Sequence, residues 1–114
     1  MDVDKKTFLE LLRRLIATPS LSRQEKDTAA IIEDFFSTLG LRPNRQGNNV
    51  WLRASNWRDG RPVILLNSHH DTVKPAAGYT RDPHEPSVED GKLFGLGSND
   101  AGGALVSLMY AFVT

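Results

Sequence analysis

Residues 63–71 read VILLNSHHD, an uninterrupted apolar run followed directly by a polar cluster. A short apolar run without alternation is typical of a β-strand that is covered on both faces. We therefore predict a buried strand over residues 63–66, with His69, His70 and Asp71 just beyond its carboxyl end. Ligands in open α/β sheets gather outside the carboxyl ends of the strands. This stretch thus predicts both an α/β fold and the position of a site.

Two amphipathic helices are predicted upstream of this strand, because apolar residues recur there at helical spacing. The first helix ends before Pro19, whose ring disfavours helical geometry in the preceding residue. The second begins at a predicted capping box formed by Ser22 and Glu25 and ends at Gly40. The apolar stripes of the two helices are Phe8, Leu11, Leu12, Leu15 and Ile16, and Ala29, Ile32, Phe35, Phe36 and Leu39.

The other segments fit the same fold class. Residues 49–54 alternate between apolar and polar side chains, which predicts a half-buried strand. Residues 74–92 are rich in Pro, Gly and Asp and are predicted to form a long loop, followed by a brief strand at 93–94. The stretch 101–114 predicts a helix that is apolar nearly all round. A helix that is apolar on every side is stable only when other parts of a protein cover it. We therefore expect the chain to self-associate as a homo-oligomer.

Composition excludes several classes of protein. With 114 residues the chain fits one domain, 1–114, and its 14 basic residues balance 14 acidic ones. Zero net charge gives no electrostatic reason to expect a nucleic acid or a membrane as partner. The uncharged stretch 101–114 suits a core helix better than a membrane span. The chain has no cysteine, which excludes disulfides and fits a cytoplasmic location.

The first candidate site is His69-His70-Asp71. An imidazole at a strand end can bind a metal ion, and a carboxylate two residues later points to the same side of an extended chain. That carboxylate could hold the other ring N–H of the histidine. The alternative is a histidine with ordinary hydrogen bonds beside a capping aspartate, and this segment alone leaves both open.

The second candidate site is the glycine-rich stretch GLGSNDAGG at residues 95–103. Asp100 occupies the place of the third glycine of a dinucleotide fingerprint, which puts a negative charge where pyrophosphate would bind. A P-loop and a Gly-x-Ser-x-Gly nucleophile elbow are also absent. Two interpretations remain: a tight turn capped by Asp100, or an acidic ligand whose oxygens can bridge two divalent ions.

These two stretches resemble motifs of the co-catalytic zinc amidohydrolases and exopeptidases. Residues 66–75 (LNSHHDTVKP) resemble the Gly-His-x-Asp-x-Val-Pro motif, and residues 90–100 (DGKLFGLGSND) resemble Asp-Gly-Lys-Leu-Tyr-Gly-Arg-Gly-Ser-x-Asp. The loop RDPHEP at 81–86 is similar to the family's Asp-Pro-Phe-x-Pro. Members include acetylornithine deacetylases, desuccinylases, aminoacylases and glutamate carboxypeptidases, and LLNSHHDTVKP with GLGSNDAGG is most similar to an acetylornithine deacetylase-like member.

The resemblance implies a role for each matching residue. His69 would ligate one zinc, Asp71 would be the catalytic carboxylate that orients the imidazole, and Asp100 would bridge two zincs, for which cobalt can substitute. His70 stands at the variable position of the motif, so we expect it not to ligate and expect its replacement by Ala to be mild. The resemblance also implies a cis peptide bond between Asp100 and Ala101 in the complete enzyme.

The implied fold is the N-terminal portion of a layered α/β/α catalytic domain, whose general-base Glu and remaining ligands lie beyond residue 114. The implied reaction of the complete enzyme is hydrolysis of a small N-acyl amino acid, such as N-acetylornithine in arginine biosynthesis. A desuccinylase or dipeptidase of the same family is an alternative, and a non-catalytic α/β interaction domain is another. The departures Ser68, Leu96 and Gly102 remove no metal ligand, but Leu96 and Gly102 stand where the family pattern has cationic side chains.

Overall fold

A computed structural model describes residues 2–114 and shows three helices and two small antiparallel hairpins. A single π-helical turn precedes the last helix, and its backbone departs from helical geometry at Asp100 and Ala101. The elements are α1 (Lys5–Ala17), α2 (Lys26–Thr38), β1 (Asn44–Gln46), β2 (Asn49–Trp51), β3 (Ser87–Glu89), β4 (Lys92–Phe94), the turn Ser98–Gly102 and α3 (Gly103–Val113).

The two predicted N-terminal helices are present, but the predicted capping box is wrong. α2 begins at Lys26, and its N-cap residue Glu25 makes no side-chain capping hydrogen bond. Ser22 lies in a turn closed by a hydrogen bond from the Gln24 amide to the Leu21 carbonyl. Because this turn intervenes, Ser22 precedes the helix by too many residues to cap it. α1 ends before Pro19 as predicted. At the start of α1, the Asp4 side chain accepts a hydrogen bond from the Lys6 amide.

The core lies where the three helices meet. Phe8 of α1 makes edge-to-face contacts with Phe35 of α2 and Tyr110 of α3, with both pairs of ring centroids 5.1 Å apart. Such aromatic pairs add to the stabilisation from burial. The buried core side chains are Phe8, Leu11, Leu15, Ile32, Phe35, Phe36, Val106, Met109 and Val113.

α3 is better covered than its sequence suggests. Val106, Met109 and Val113 are buried, and Leu105, Tyr110 and Phe112 pack against the same core. Because α1 covers one side of this helix, α3 does not present the bare apolar surface that its sequence predicts. Within residues 2–114, no helix has the length and apolarity that a membrane crossing needs.

The predicted buried strand at residues 63–66 is wrong. This run pairs with no strand of the described chain, and Val63, Ile64 and Leu65 are 62%, 86% and 81% exposed. Strands β1 and β2 pair with each other, as do β3 and β4, and neither hairpin pairs with this run.

The hairpins revise the other strand predictions. The predicted strand at 49–54 is shorter and forms β2. The predicted loop at 74–92 contains β3, which pairs with β4, the strand predicted at 93–94. The described chain is therefore a mixed fold of helices and small sheets, consistent with an α/β fragment, but it does not show the predicted α/β/α layering because its strands form two separate two-stranded sheets.

Candidate functional site

The segment from His69 to Thr72 is held against the connection between α1 and α2. The Thr72 amide donates a hydrogen bond to the Ser20 carbonyl at 2.7 Å, and the Ser20 hydroxyl donates to the His70 carbonyl at 2.9 Å. Leu21 and Thr72 form an isolated parallel bridge. The predicted strand at 63–66 is thus absent, but the segment that follows it is held in place by these hydrogen bonds.

The structure brings His69, Asp71 and Asp100 together. His69 Nδ1 is 3.0 Å from Asp71 Oδ1, and His69 Nε2 is 3.2 Å from Asp100 Oδ1. The His69 ring therefore lies between two carboxylates, one at each nitrogen, although 31 residues separate it from Asp100. The side chains of His69 and Asp100 are substantially exposed, so a ligand can reach them from solvent.

The glycine-rich turn places Asp100 at this point. Gly97 has a φ of +79°, and a Cβ atom there would lie 2.7 Å from Thr72 Cγ2. The Gly102 amide donates to the Gly97 carbonyl at 2.7 Å, which closes the turn. The peptide bond between Asp100 and Ala101 is cis, as the resemblance implies for the complete enzyme. Close approach between this turn and Thr72 is what requires a residue without a side chain at position 97.

The electrostatics favour a proton on His69 in the protein without metal. Burial alone would lower the pKa of His69, since it disfavours the charged ring. The hydrogen bonds to the carbonyl and carboxylate of Asp71, the charge of Asp71 and the contact with Asp100 act in the opposite direction and outweigh it, so that the pKa of His69 is raised. The same carboxylates would stabilise a cation bound at Nε2.

The donor set fits zinc in kind and in spacing. Two donors that share a tetrahedral zinc at ordinary bond lengths lie about 3.4 Å apart, close to the 3.2 Å between His69 Nε2 and Asp100 Oδ1. Asp71 bonds the opposite ring nitrogen, so it can orient the ring but cannot share that ion with Nε2. Among residues 2–114 no group of three or more His, Cys, Asp or Glu side chains is placed to hold one metal ion. The described site therefore offers two ligands and an orienting carboxylate.

A groove of about 890 Å³ opens onto His69, Asp71 and Asp100. Lys74 and Arg81 also line this groove. Arg81 is engaged elsewhere: its two terminal nitrogens lie 3.0 and 2.7 Å from the two carboxylate oxygens of Glu89, and its guanidinium lies 3.9 Å from the centre of the Phe94 ring. The Arg81 guanidinium accordingly lowers the pKa of the Glu89 carboxyl.

His70 faces away from this groove. Its Nδ1 is 2.7 Å from the Thr28 hydroxyl and its Nε2 is 2.9 Å from the Asn48 carbonyl. Both ring nitrogens of His70 are thus engaged by other groups of the protein, and its non-ligating role stays a prediction. No sequence pattern predicts the contacts of His70 with Thr28 and Asn48, since neither of these residues lies in a motif.

His69 and Asp100 thus form a histidine and carboxylate pair that opens onto the groove. Residues 65–114 match the model of the peptidase family M20/M25/M40. The matched stretch contains His69, Asp71 and Asp100. The match supports the co-catalytic zinc amidohydrolase family and a hydrolase of the metallopeptidase kind, without distinguishing a substrate.

Proposed function

We propose that the chain provides part of the two-zinc centre of an amidohydrolase. In this proposal His69 Nε2 and Asp100 would hold zinc, and Asp71 would orient His69. The observation that carries the proposal is the position of the His69 ring, 3.0 Å from Asp71 Oδ1 on one side and 3.2 Å from Asp100 Oδ1 on the other.

Each residue has a distinct task in this arrangement. Asp71 accepts the proton of His69 Nδ1, which leaves the lone pair of Nε2 free and fixes the plane of the ring. Asp100 has two carboxylate oxygens, of which Oδ1 faces His69, so the other oxygen is available to a second ion. When bound, zinc polarises a substrate carbonyl and lowers the pKa of a coordinated water. The general base and further ligands would come from outside residues 1–114.

For the substrate we propose a small N-acyl amino acid such as N-acetylornithine. The resemblance of LLNSHHDTVKP and GLGSNDAGG to acetylornithine deacetylase-like proteins supports this choice. Lys74 lines the groove beside the site and provides a positive charge that suits the carboxylate of an amino acid. We also propose a cytoplasmic location, which the absence of cysteine supports.

Zinc binding tests the proposed site. Isothermal titration calorimetry of the 114-residue chain should show weak zinc binding, since a catalytic zinc usually takes three protein ligands. His69→Ala and Asp100→Ala should each abolish that binding. His84→Ala is the matched control, because His84 Nδ1 lies 3.4 Å from the Ile16 carbonyl and not in the site. Zinc binding that survives both site substitutions would overturn the proposal and favour a non-catalytic interaction domain.

A substrate panel tests the proposed reaction. The full-length gene product should release the free amino acid from N-acetylornithine in the presence of zinc or cobalt. It should act more slowly on N-succinyl amino acids and on dipeptides. A preference for one of those two classes would contradict the proposed deacetylase activity while leaving the metal site intact.

A further inference from the structure

His70 is the meeting point of the buried polar side chains. Among residues 2–114, Ser20 and Thr28 are the buried polar or charged residues, at 3% and 0% exposure. Both of them hydrogen-bond to His70: the Ser20 hydroxyl bonds its carbonyl and the Thr28 hydroxyl bonds its ring. Burying a hydroxyl is costly unless it finds a partner, so these contacts account for both buried groups.

The ring of His70 joins two further segments. Thr28 lies in α2, and Asn48 lies in the turn between β1 and β2. A carbonyl oxygen can only accept, so Nε2 of His70 carries a proton and donates it to the Asn48 carbonyl. Nδ1 lies 2.7 Å from the Thr28 hydroxyl, which also donates to the Glu25 carbonyl at 3.2 Å. The hydrogen-bonding pattern thus fixes the orientation of the His70 ring.

The neighbours of His70 are the site residues. In an extended segment alternate side chains point to opposite sides. Here His70 bonds α2 and the hairpin on one side, while on the other His69 contacts both Asp71 and Asp100. The backbone of the same segment is held by Ser20, through the carbonyl of His70 and the amide of Thr72. Movement of His70 would therefore displace both site residues at once.

We propose that His70 is a positioning residue: its bonds to Thr28 and Asn48 set the orientation of His69 and Asp71 towards Asp100. This proposal predicts a substantial effect of His70→Ala, where the motif alone predicts a mild one. The inference rests on the proposed function only for the effect on zinc, because the arrangement itself is present without metal.

Substitutions at Thr28 test this role with little change in shape. Thr28→Val removes the hydroxyl but keeps the volume, and Thr28→Ser keeps the hydroxyl. We expect Thr28→Val and His70→Ala to weaken zinc binding by about 10- to 100-fold, as loss of an orienting partner typically does. Thr28→Ser should bind zinc within about threefold of the wild type. Thermal unfolding of each variant would show that it is folded.

A second readout needs no metal. NMR should show nuclear Overhauser contacts between the His69 ring and the side-chain methylene of Asp100, whose Oδ1 lies 3.2 Å from His69 Nε2, together with a proton on Nε2 of His70. Thr28→Val and His70→Ala should weaken those contacts, and Thr28→Ser should retain them. Unchanged contacts in folded Thr28→Val and His70→Ala would overturn the inference. If the wild type binds no zinc but these contacts behave as expected, the proposed function fails and the positioning role stands.

Discussion

At the scale of single residues, the motif spacing correctly predicted which side chains meet. His69 contacts both Asp71 and Asp100 across 2 and 31 residues of sequence. The local pair follows from the alternation of an extended chain, and the distant contact from the resemblance of two separate motifs. The partners of His70 could not be predicted, because Thr28 and Asn48 are 42 and 22 residues away and belong to no motif. Only the folded chain brings them together.

The role of Asp71 predicts a change in the pKa of His69. Asp71→Asn removes the charge and the strong acceptor that raise this pKa. We therefore expect the pKa of His69 to fall and zinc binding to weaken by about 10- to 100-fold. NMR titration of the ring protons measures the first effect, and calorimetry measures the second. Asp59→Asn is the control, since the Asp59 carboxylate accepts a hydrogen bond from the Trp57 indole N–H and does not line the groove. An unchanged pKa in Asp71→Asn would contradict the assigned contact.

The raised pKa of His69 also predicts how zinc binding depends on pH. A proton on Nε2 competes with the metal, so affinity should fall as the pH falls through the pKa of His69. Stability without metal should change in the opposite sense. The contribution of protonated His69 is present below the pKa of the unfolded chain and is lost as the pH rises through the raised pKa of the folded chain. Calorimetry across this pH range in two buffers would measure the protons released. Affinity that is independent of pH in that range would contradict ligation by His69.

At the level of helices and strands, the spacing of apolar residues was enough to predict the two N-terminal helices. The predicted apolar stripes of α1 and α2 face the core, and these two helices provide most of the buried core side chains. The run at 63–66 was misjudged because a buried strand needs neighbouring strands, and a local pattern does not show whether they are present. β3 was missed for a related reason: its pairing with β4 depends on the turn between them rather than on its own alternation.

The tight packing of the glycine-rich turn predicts that a methyl group added at Gly102 lowers the stability of the fold. A Cβ atom at Gly102 would lie 2.8 Å from both the Gly97 carbonyl oxygen and Leu12 Cδ1. We expect Gly102→Ala to lower the free energy of unfolding by about 1–3 kcal/mol, as overpacking typically does. Urea denaturation measures this difference. Ser107→Ala on the exposed side of α3 serves as the control and should change stability little. Equal stability of Gly102→Ala and the wild type would contradict this close packing.

For the molecule as a whole, residues 63–66 form a continuous run of exposed apolar side chains. The core of three helices leaves Val63, Ile64 and Leu65 largely in water. Burying such a side chain is worth about 1.5–3 kcal/mol, so exposure of several together favours association. The proposed homo-oligomer is therefore better explained by this run than by α3, most of whose apolar side chains already pack against the core.

This surface predicts self-association of the 114-residue chain. Analytical ultracentrifugation above micromolar concentration should show species larger than the 12.7 kDa monomer. Ile64→Asn together with Leu65→Asn should shift the population towards monomer, because polar side chains remove the apolar surface. Leu9→Asn is the control, since Leu9 is also exposed but lies on α1. A clean monomer for the wild type would contradict this prediction.

We propose that His69 Nε2 and Asp100 ligate one zinc while Asp71 holds His69 Nδ1. The most direct test is long-range ¹H–¹⁵N correlation of the three histidine rings during a zinc titration. We predict that zinc shifts the Nε2 resonance of His69, that its Nδ1 stays protonated, and that the rings of His70 and His84 keep their shifts. A zinc-dependent shift of His70 Nδ1 or Nε2, with His69 unaffected, would contradict the account.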